Sequence, residues 1–276
     1  MAALLAGLIQ GVTEWLPVSS KTLILLLLLT YGFEASTAYL MGLAINGATA
    51  VAAIIYFRKE ILEILLSIKS PKMYENGFAL LKFLIFSTII TGLVAIPLAQ
   101  ASRGLISFNE NIAMIAMGFL FLLTSIFTWL KARIRGEVEG LKTKVDLTDA
   151  MLAGLAQGLS ALPGISRSGI TIFTLILLGH DSRDSLKLSF LMGIPATIGG
   201  VIYSYTAMPI LMESRVTVLV ISSFTAIIVS LSMISTLLRL SEKLKTYLFT
   251  LILAVITIII GTLGMIHLSP VILKHS

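Results

Sequence analysis

Polar side chains of several kinds lie within long apolar stretches of this chain. A polar or charged residue is costly in hydrocarbon, so such residues are candidates for function. Three of them are ionisable, namely Glu14, Lys21 and Arg167. Hydroxyls and amides accompany them: Gln10, Ser19, Ser20, Gln157, Ser160, Ser166, Ser168 and Thr171. A Glu14–Arg167 pair that only ties two segments together is the structural alternative to a functional site.

The segment Pro163–Thr171, P-G-I-S-R-S-G-I-T, has the composition of an anion-binding loop. Glycines such as Gly164 allow tight turns and let a ligand approach the backbone. A helix that begins after the loop would direct free N–H groups and its positive dipole end toward an anion. Arg167 adds a planar fork that suits phosphate oxygens. Hydroxyl donors surround it: Ser166, Ser168 and Thr171.

The polar stretch nearer the N-terminus, Gln10–Lys21, supplies a carboxylate. Gln10 and Glu14 are four residues apart and therefore share one helix face. Their oxygens could hold a divalent cation, Mg²⁺ or Ca²⁺, together with phosphate oxygens and water. Glu14 could instead act as a general base toward a serine or a water. Such a site beside an anion loop provides the positioning and charge stabilisation that phosphoryl transfer requires.

The composition indicates a membrane protein. Of 276 residues, 57% are hydrophobic and 12% are charged, whereas soluble domains carry about 25% charged residues. The chain has no cysteine, which excludes disulfides, thiolate chemistry and cysteine-based metal sites. The net charge of +6 comes from basic residues in short loops between apolar runs, where they set orientation and meet anionic headgroups. It is therefore no sign of nucleic-acid binding.

Six stretches are long enough to cross about 30 Å of hydrocarbon as helices. The expected spans are Thr37–Phe57, Ala79–Ala99, Asn111–Leu130, Ser185–Tyr205, Val216–Leu238 and Tyr247–His267. Two further apolar stretches, about Leu4–Leu29 and Ala150–Leu178, contain Gly, Pro and Ser at their centres, which interrupt helical hydrogen bonding. Broken backbone at membrane depth needs surrounding protein or a water-filled cavity. Each of the two is predicted to be a re-entrant helix–loop–helix hairpin.

The two predicted hairpins resemble each other. Gly7–Thr13, G-L-I-Q-G-V-T, aligns with Gly154–Ser160, G-L-A-Q-G-L-S, and each is followed by Leu-Pro. We therefore predict one membrane domain, 1–276, built as an inverted-topology repeat. Repeat one, 1–135, and repeat two, 148–276, would each contain one hairpin and three spans. The fold class is an all-α polytopic membrane protein.

Charge bias tests this layout. With six alternating spans and two re-entrant hairpins, fifteen lysines and arginines fall on one side and three, Arg103, Arg215 and Lys274, on the other. The positive-inside rule places the fifteen in the cytoplasm. Both termini and the opening of the site would then be extracellular, in a cell membrane. The hairpins would enter from opposite sides, so that their tips could meet near the midplane.

These motifs resemble those of the bacitracin-resistance type undecaprenyl-diphosphatase family. Gln10–Ile24, Q-G-V-T-E-W-L-P-V-S-S-K-T-L-I, is similar to the family's first motif. Pro163–Thr171 is similar to its P-G-x-S-R-S-G-x-T motif, and Ser189–Ala196, S-F-L-M-G-I-P-A, to a third. The resemblance implies removal of the terminal phosphate of undecaprenyl diphosphate, which regenerates the monophosphate carrier for cell-wall or glycan synthesis. It also implies a fold of six spans and two re-entrant hairpins.

The resemblance implies roles residue by residue. Glu14 matches the family's essential carboxylate, implicated in metal binding or base catalysis, and Ser20 matches a serine proposed as nucleophile. The diphosphate-binding loop corresponds to Ser166, Arg167 and Thr171. We therefore expect Glu14, Ser20 and Arg167 to be catalytic, and Glu14 with Gln10 to bind the cation. The expected substrate-binding residues are Gln10, Ser19, Lys21, Gly164, Ser166, Ser168 and Thr171.

The first motif departs from the family at one place. The family's Gly-His is Thr22-Leu23 here, so a histidine suggested as nucleophile or base is absent. Lys21 could replace it electrostatically by binding phosphate, or could extend outward to the headgroups. The histidines that are present are expected to be interfacial residues: His180, His267 and His275.

Two alternatives to hydrolysis stay open. One is a transporter or flippase of a phosphorylated lipid, suggested by the broken midplane segments and the missing histidine. The other is a catalytically weakened paralogue kept as a binding protein. The expected partners are the polyprenyl diphosphate and membrane lipids, with no nucleic acid, and a homodimer is considered.

Overall fold

A computed structural model describes residues 1–101, 110–135, 142, 144–162, 165–207 and 215–272. These residues form eleven helices and no strand. The helices, in chain order, are α1 Ala2–Thr13, α2 Ser20–Thr30, α3 Ala35–Tyr56, α4 Arg58–Lys69, α5 Glu75–Ala101, α6 Glu110–Arg135, α7 Leu147–Leu159, α8 Arg167–Leu177, α9 Ser182–Ala207, α10 Val216–Lys243 and α11 Thr246–Ile272.

Six helices, α3, α5, α6, α9, α10 and α11, are long and apolar enough to cross a membrane. Each overlaps one predicted span, which confirms an all-helical polytopic membrane protein with six spans. Most helices extend beyond the apolar run that predicted them, as α10 does by continuing to Lys243. A helix satisfies its own backbone hydrogen bonds, so it can continue where the chain leaves the hydrocarbon.

Each predicted hairpin is a pair of short helices, α1 with α2 and α7 with α8. The longest of the four, α7, has 13 residues, or roughly 20 Å, which is too short to cross the hydrocarbon. The first connection contains Pro17, which has no N–H for helical pairing. The second hairpin begins with a capping box in which Asp146 and Asp149 each accept the other's backbone N–H. Entry of the hairpins from opposite membrane sides stays a prediction.

Glycines fit the second hairpin closely against α5. Gly154 lies against Ser87, and Gly158 lies against Val94. A Cβ added at Gly158 would lie 2.5 Å from the Cβ of Val94, which is well inside normal carbon–carbon contact. Small residues of this kind allow helix backbones in membranes to approach each other.

The first hairpin packs on α10 in the same way. Gly7 lies against Ser222 and Gly11 against Val229. The partner positions on α10 and α5 are the same 135 residues apart in both cases, Ser222 with Ser87 and Val229 with Val94. This matched packing supports the predicted internal repeat and relates α5 to α10.

The centre of the molecule is formed by α3 packed on α9, with α6 and α11 packed together beside them. The tip of the first hairpin reaches this core, where the ring of Trp15 meets that of Phe190 edge to face at 4.7 Å. Surrounding protein therefore covers the interrupted backbone of the first hairpin, as broken helices at membrane depth require.

One helix was not predicted. Helix α4 occupies the stretch taken as a loop between the first two spans, and it is amphipathic rather than uniformly apolar. Ile64 and Ser67 are buried, whereas Leu62 and Leu65 are each 56% exposed. Such a helix suits the membrane interface, and a search for long apolar runs does not detect it.

We predict that Gly158→Leu lowers the thermal unfolding midpoint in detergent, because overpacking a tight contact costs about 1–3 kcal/mol. The matched control is Gly199→Ala, since an added Cβ there meets no atom within 4 Å. Its midpoint should equal or exceed that of the wild type. Equal midpoints for Gly158→Leu and the wild type would contradict the packing described here.

Candidate functional site

The tips of the two hairpins meet at one carboxylate. Glu14 directly follows α1, and its Oε1 lies 2.8 Å from Nη2 of Arg167, the first residue of α8. Their side chains are only 6% and 10% exposed. Removing one partner of such a buried pair leaves an uncompensated charge. The pair therefore both holds the hairpins together and places opposite charges in one site.

The other oxygen of Glu14 accepts two hydrogen bonds. Ser20, the first residue of α2, donates its hydroxyl to Oε2 at 2.8 Å. Gln10 donates its amide to the same oxygen at 3.0 Å and also donates to Oδ1 of Asn46 in α3. A serine hydroxyl that donates to a carboxylate can act as a nucleophile with an adjacent general base.

The guanidinium of Arg167 is held from two sides. Its Nη1 donates to the carbonyl of Ser189 at 3.2 Å, while Nη2 faces Glu14. Its Nε is buried and has no hydrogen-bond partner among the described residues. Gly193 lies against the same group, and a Cβ at that position would overlap Nη1. The third motif, Ser189–Ala196, thus contributes the carbonyl of Ser189 as an acceptor and, at Gly193, the room that the guanidinium occupies.

Three predicted hydroxyl donors are engaged within the protein. Ser168 donates to the carbonyl of Leu16 at 2.8 Å, and Ser166 contacts the same carbonyl at 3.4 Å while accepting from the N–H of Gly169. Thr171 shares a hydrogen bond with the hydroxyl of Ser189 at 2.6 Å. The hydroxyls therefore cap α8 and join the two hairpins, so contact with an anion requires them to turn or to accept a second role.

A cavity of about 760 Å³ opens onto these groups, which is within the size range of ligand sites. Its polar lining consists of residues from both hairpins and from the spans: Glu14, Ser19, Ser20, Lys21, Asn46, Thr88, Thr91, Gln157, Ser160, Ser166, Arg167, Ser168 and Thr197. Of the predicted site residues, Gln10 and Thr171 lie behind this lining. Gly164 lies outside the described residues.

The donors fit only one kind of metal site. Among the described residues, no group of three His, Cys, Asp or Glu side chains could hold a metal ion. Glu14 is the sole carboxylate among the residues that line the cavity, and Gln10 directs its amide nitrogen toward it. This set fits a cation that keeps its waters and binds through one carboxylate and substrate phosphates, as Mg²⁺ commonly does. It does not fit a cage of protein ligands.

Asn46 and Thr91 are among the cavity residues on the spans that sequence reasoning missed. Asn46 accepts the hydrogen bond from Gln10, and Thr91 receives one from Gln157 at 3.1 Å. The signal for Asn46 was an amide within a span, which is costly in lipid and so marks a candidate. Thr91 gave no signal, because threonines on membrane helices commonly bond their own backbone.

His180 is buried within the protein, and its place at the membrane interface stays a prediction. It is 2% exposed, and its Nε2 lies 3.2 Å from Oδ2 of Asp149, which is itself fully buried. Lys142 contacts the other oxygen of Asp149 at 2.8 Å, and its hydrogen bond to Asp146 lowers the pKa of that exposed carboxyl. This cluster closes the open end of the second hairpin, away from the cavity. The side chains of His267 and His275 lie outside the described residues.

Comparisons with known proteins agree over most of the chain. The family model described as bacitracin resistance protein BacA matches residues 3–260. A protein of Saccharolobus solfataricus named undecaprenyl-diphosphatase is 37% identical over 270 residues, or 96% of each chain. Proteins of the same name from Sulfurisphaera tokodaii and Pyrobaculum islandicum are 32% and 38% identical, over 94% and 74% of this chain and 96% and 76% of their own. The family match over residues 3–260 includes almost all of both hairpins.

The close contact between Gly193 and the guanidinium of Arg167 can be tested by adding one methyl group at Gly193. We predict that Gly193→Ala displaces Arg167 and weakens binding of inorganic pyrophosphate by about tenfold or more, equivalent to roughly 1.4 kcal/mol. Isothermal titration of the purified protein in detergent measures this affinity. The matched control is Gly42→Ala, where the added Cβ would make only an ordinary contact, 3.5 Å from Ile24. Equal affinities for the two variants would argue against this contact.

Proposed function

Because this chain belongs to the bacitracin resistance protein BacA family, we propose that it hydrolyses undecaprenyl diphosphate to the monophosphate carrier lipid and phosphate. Two relatives that align with it over 96% of their own length are named undecaprenyl-diphosphatase. The observation that carries the proposal is the Ser20–Glu14–Arg167 constellation, which joins a nucleophile, a base and an anion ligand at one cavity. Released carrier lipid would return to cell-wall or glycan synthesis.

Binding of the diphosphate falls to the second hairpin. The Nε of Arg167 has no partner in the described protein, and the N-terminus of α8 begins at the same residue. Both favour phosphate oxygens. Lys21 and Ser19 of the first hairpin also line the cavity, where an ammonium group would add positive charge. Lys21 thereby supplies the electrostatic contribution that the missing histidine cannot make.

Attack on the terminal phosphorus falls to the first hairpin. Ser20 transfers its proton to Oε2 of Glu14 at 2.8 Å while its oxygen bonds to phosphorus, and the bridging oxygen leaves with the prenyl monophosphate. Glu14 gives this proton to the departing prenyl monophosphate and is again a carboxylate. It then takes a proton from a water that attacks the phosphoserine, and it passes that proton to the Ser20 oxygen as phosphate leaves. In the alternative route Ser20 positions a water that attacks directly, with the same proton acceptor. Neither route needs a histidine at Leu23.

A divalent cation, Mg²⁺ or Ca²⁺, completes the proposal. It would be held by Glu14 and the diphosphate oxygens, with Gln10 behind it. Its chemistry when bound is to neutralise charge on the transferring phosphoryl group. Gln10 orients the carboxylate of Glu14 through the 3.0 Å hydrogen bond. The carboxylate therefore has the same orientation whether it binds the cation or acts as a base.

The placement in the membrane is also part of the proposal. Six spans make this a multi-pass membrane protein, and the fifteen-to-three charge bias supports a cell membrane with cytoplasmic loops on the basic side. Both termini and the opening of the cavity would then face outward. Membrane lipids surround the chain, and a homodimer stays a prediction.

The catalytic assignment predicts that Glu14→Gln, Ser20→Ala and Arg167→Ala each lower phosphate release from a prenyl diphosphate by about 100-fold or more. Ser232→Ala, which alters a serine on the exposed surface, serves as the control and should match the wild type. Equal turnover in all four variants would reject the site. A wild type that binds or translocates the lipid without releasing phosphate would instead identify a flippase or a weakened paralogue.

The cation assignment predicts that a chelator lowers phosphate release by at least about tenfold, because charge on the phosphoryl group is then less well neutralised. Adding Mg²⁺ or Ca²⁺ should restore it, and chelator already saturated with Ca²⁺ serves as the control. The thermal unfolding midpoint should not change, since the described residues form no cage of protein ligands around the ion. Unaltered release in chelator would exclude the cation.

A further inference from the structure

The joint between α5 and α9 is open on one side of the cavity. The two helices pack together only sparsely, whereas α3 and α10 pack along a long interface. Cavity-lining residues at the joint reach the outer surface, since Ile96 of α5 is 61% exposed and Tyr203 of α9 is 45% exposed. The cavity therefore extends from the charged groups to the surface that faces lipid.

The absence of side chains explains the opening. Gly92 of α5 and Gly199 of α9 both line the cavity, and a Cβ added at either position would meet no atom within 4 Å. Ala196 continues the same wall on α9. The small residues leave a passage whose sides are mainly backbone and methyl groups.

The related joint on the other side of the molecule is filled. The 135-residue relation between α5 and α10 matches Gly92 with Ile227. A shared Leu-Met-Gly, at 40–42 in α3 and 191–193 in α9, matches Ala196 with Ile45. Ile45 is completely buried, and Ile227 packs against its cluster. Two isoleucines thus close one joint, while a glycine and an alanine leave the other open.

Unpartnered polar groups lie at the inner end of this passage. The Oε1 of Gln157 and the Nε of Arg167 are buried and have no hydrogen-bond partner among the described residues, although both side chains line the cavity. Gln157 is 2% exposed. Buried polar groups without partners are rare and point to a missing ligand or water. The passage therefore has a polar inner end and an apolar mouth, which is the polarity of a prenyl diphosphate.

We infer that the joint between α5 and α9 is the portal through which the prenyl chain of the substrate leaves the site, with the units that follow the first one against Gly92 and Gly199. This inference rests on the proposed function. The diphosphate stays at Arg167, and the rest of the chain continues into the bilayer, where further methylenes meet only lipid. The portal thus accommodates long chains without measuring their total length.

The test compares two substrates in one variant. Gly92→Phe should lower kcat/KM for a long-chain polyprenyl diphosphate by about tenfold or more, because the ring fills the passage. The five-carbon dimethylallyl diphosphate should change less than about twofold, since its chain ends before the joint. The matched control is Leu93→Phe, at the next residue of α5, where the leucine is 70% exposed. Its values should equal the wild type for both substrates.

A second measurement does not depend on turnover. A long-chain prenyl diphosphate that carries a photoreactive diazirine near its first units should label peptides of α5 and α9, and Gly92→Phe should abolish that labelling. Labelling of α3 and α10, or equal losses of activity for both substrates, would overturn the portal. Labelling at α5 and α9 without phosphate release by the wild type would uphold the portal and refute the hydrolase.

Discussion

A buried ion pair is the constraint on which this structure depends. Glu14 and Arg167 lie 153 positions apart, yet their side chains meet at 2.8 Å with at most 10% exposure. A charge in lipid surroundings must be paired and hydrogen-bonded. Each hairpin supplies one member, so neither hairpin can hold its native position without the other. The surrounding protein leaves both side chains largely buried.

The broken helices create a second demand, which the same residues meet. A chain that turns back at membrane depth exposes backbone carbonyls that no water reaches. The carbonyl of Leu16 at the first tip accepts hydrogen bonds from Ser166 and Ser168 at the second. The motif serines therefore stabilise the crossing of the hairpins as well as bordering the cavity. These two roles explain why the loop has many hydroxyl groups although most of their hydrogen bonds are made within the protein.

Glycine determines how close the parts of the site come. At Gly158 the missing side chain lets a hairpin approach a span, and at Gly193 it admits the guanidinium. At Gly92 the same absence leaves open space. Tight packing around the charges and a gap at one joint together give a site that is rigid at its polar end and open toward lipid. A rigid polar end favours catalysis by preorganised charge, since the donors need no rearrangement during the reaction.

Apolar run length and local helix breakers are properties of short segments, so the sequence by itself determined the membrane class, the six spans, the two hairpins and the polar residues at their tips. The same reasoning placed Gln10 and Glu14 on one face, where they are hydrogen-bonded. Only the tertiary structure decided that Asn46 accepts a hydrogen bond from Gln10 and that Gly193 leaves room for the guanidinium of Arg167. These features depend on which distant helices become neighbours, and no local pattern carries that information.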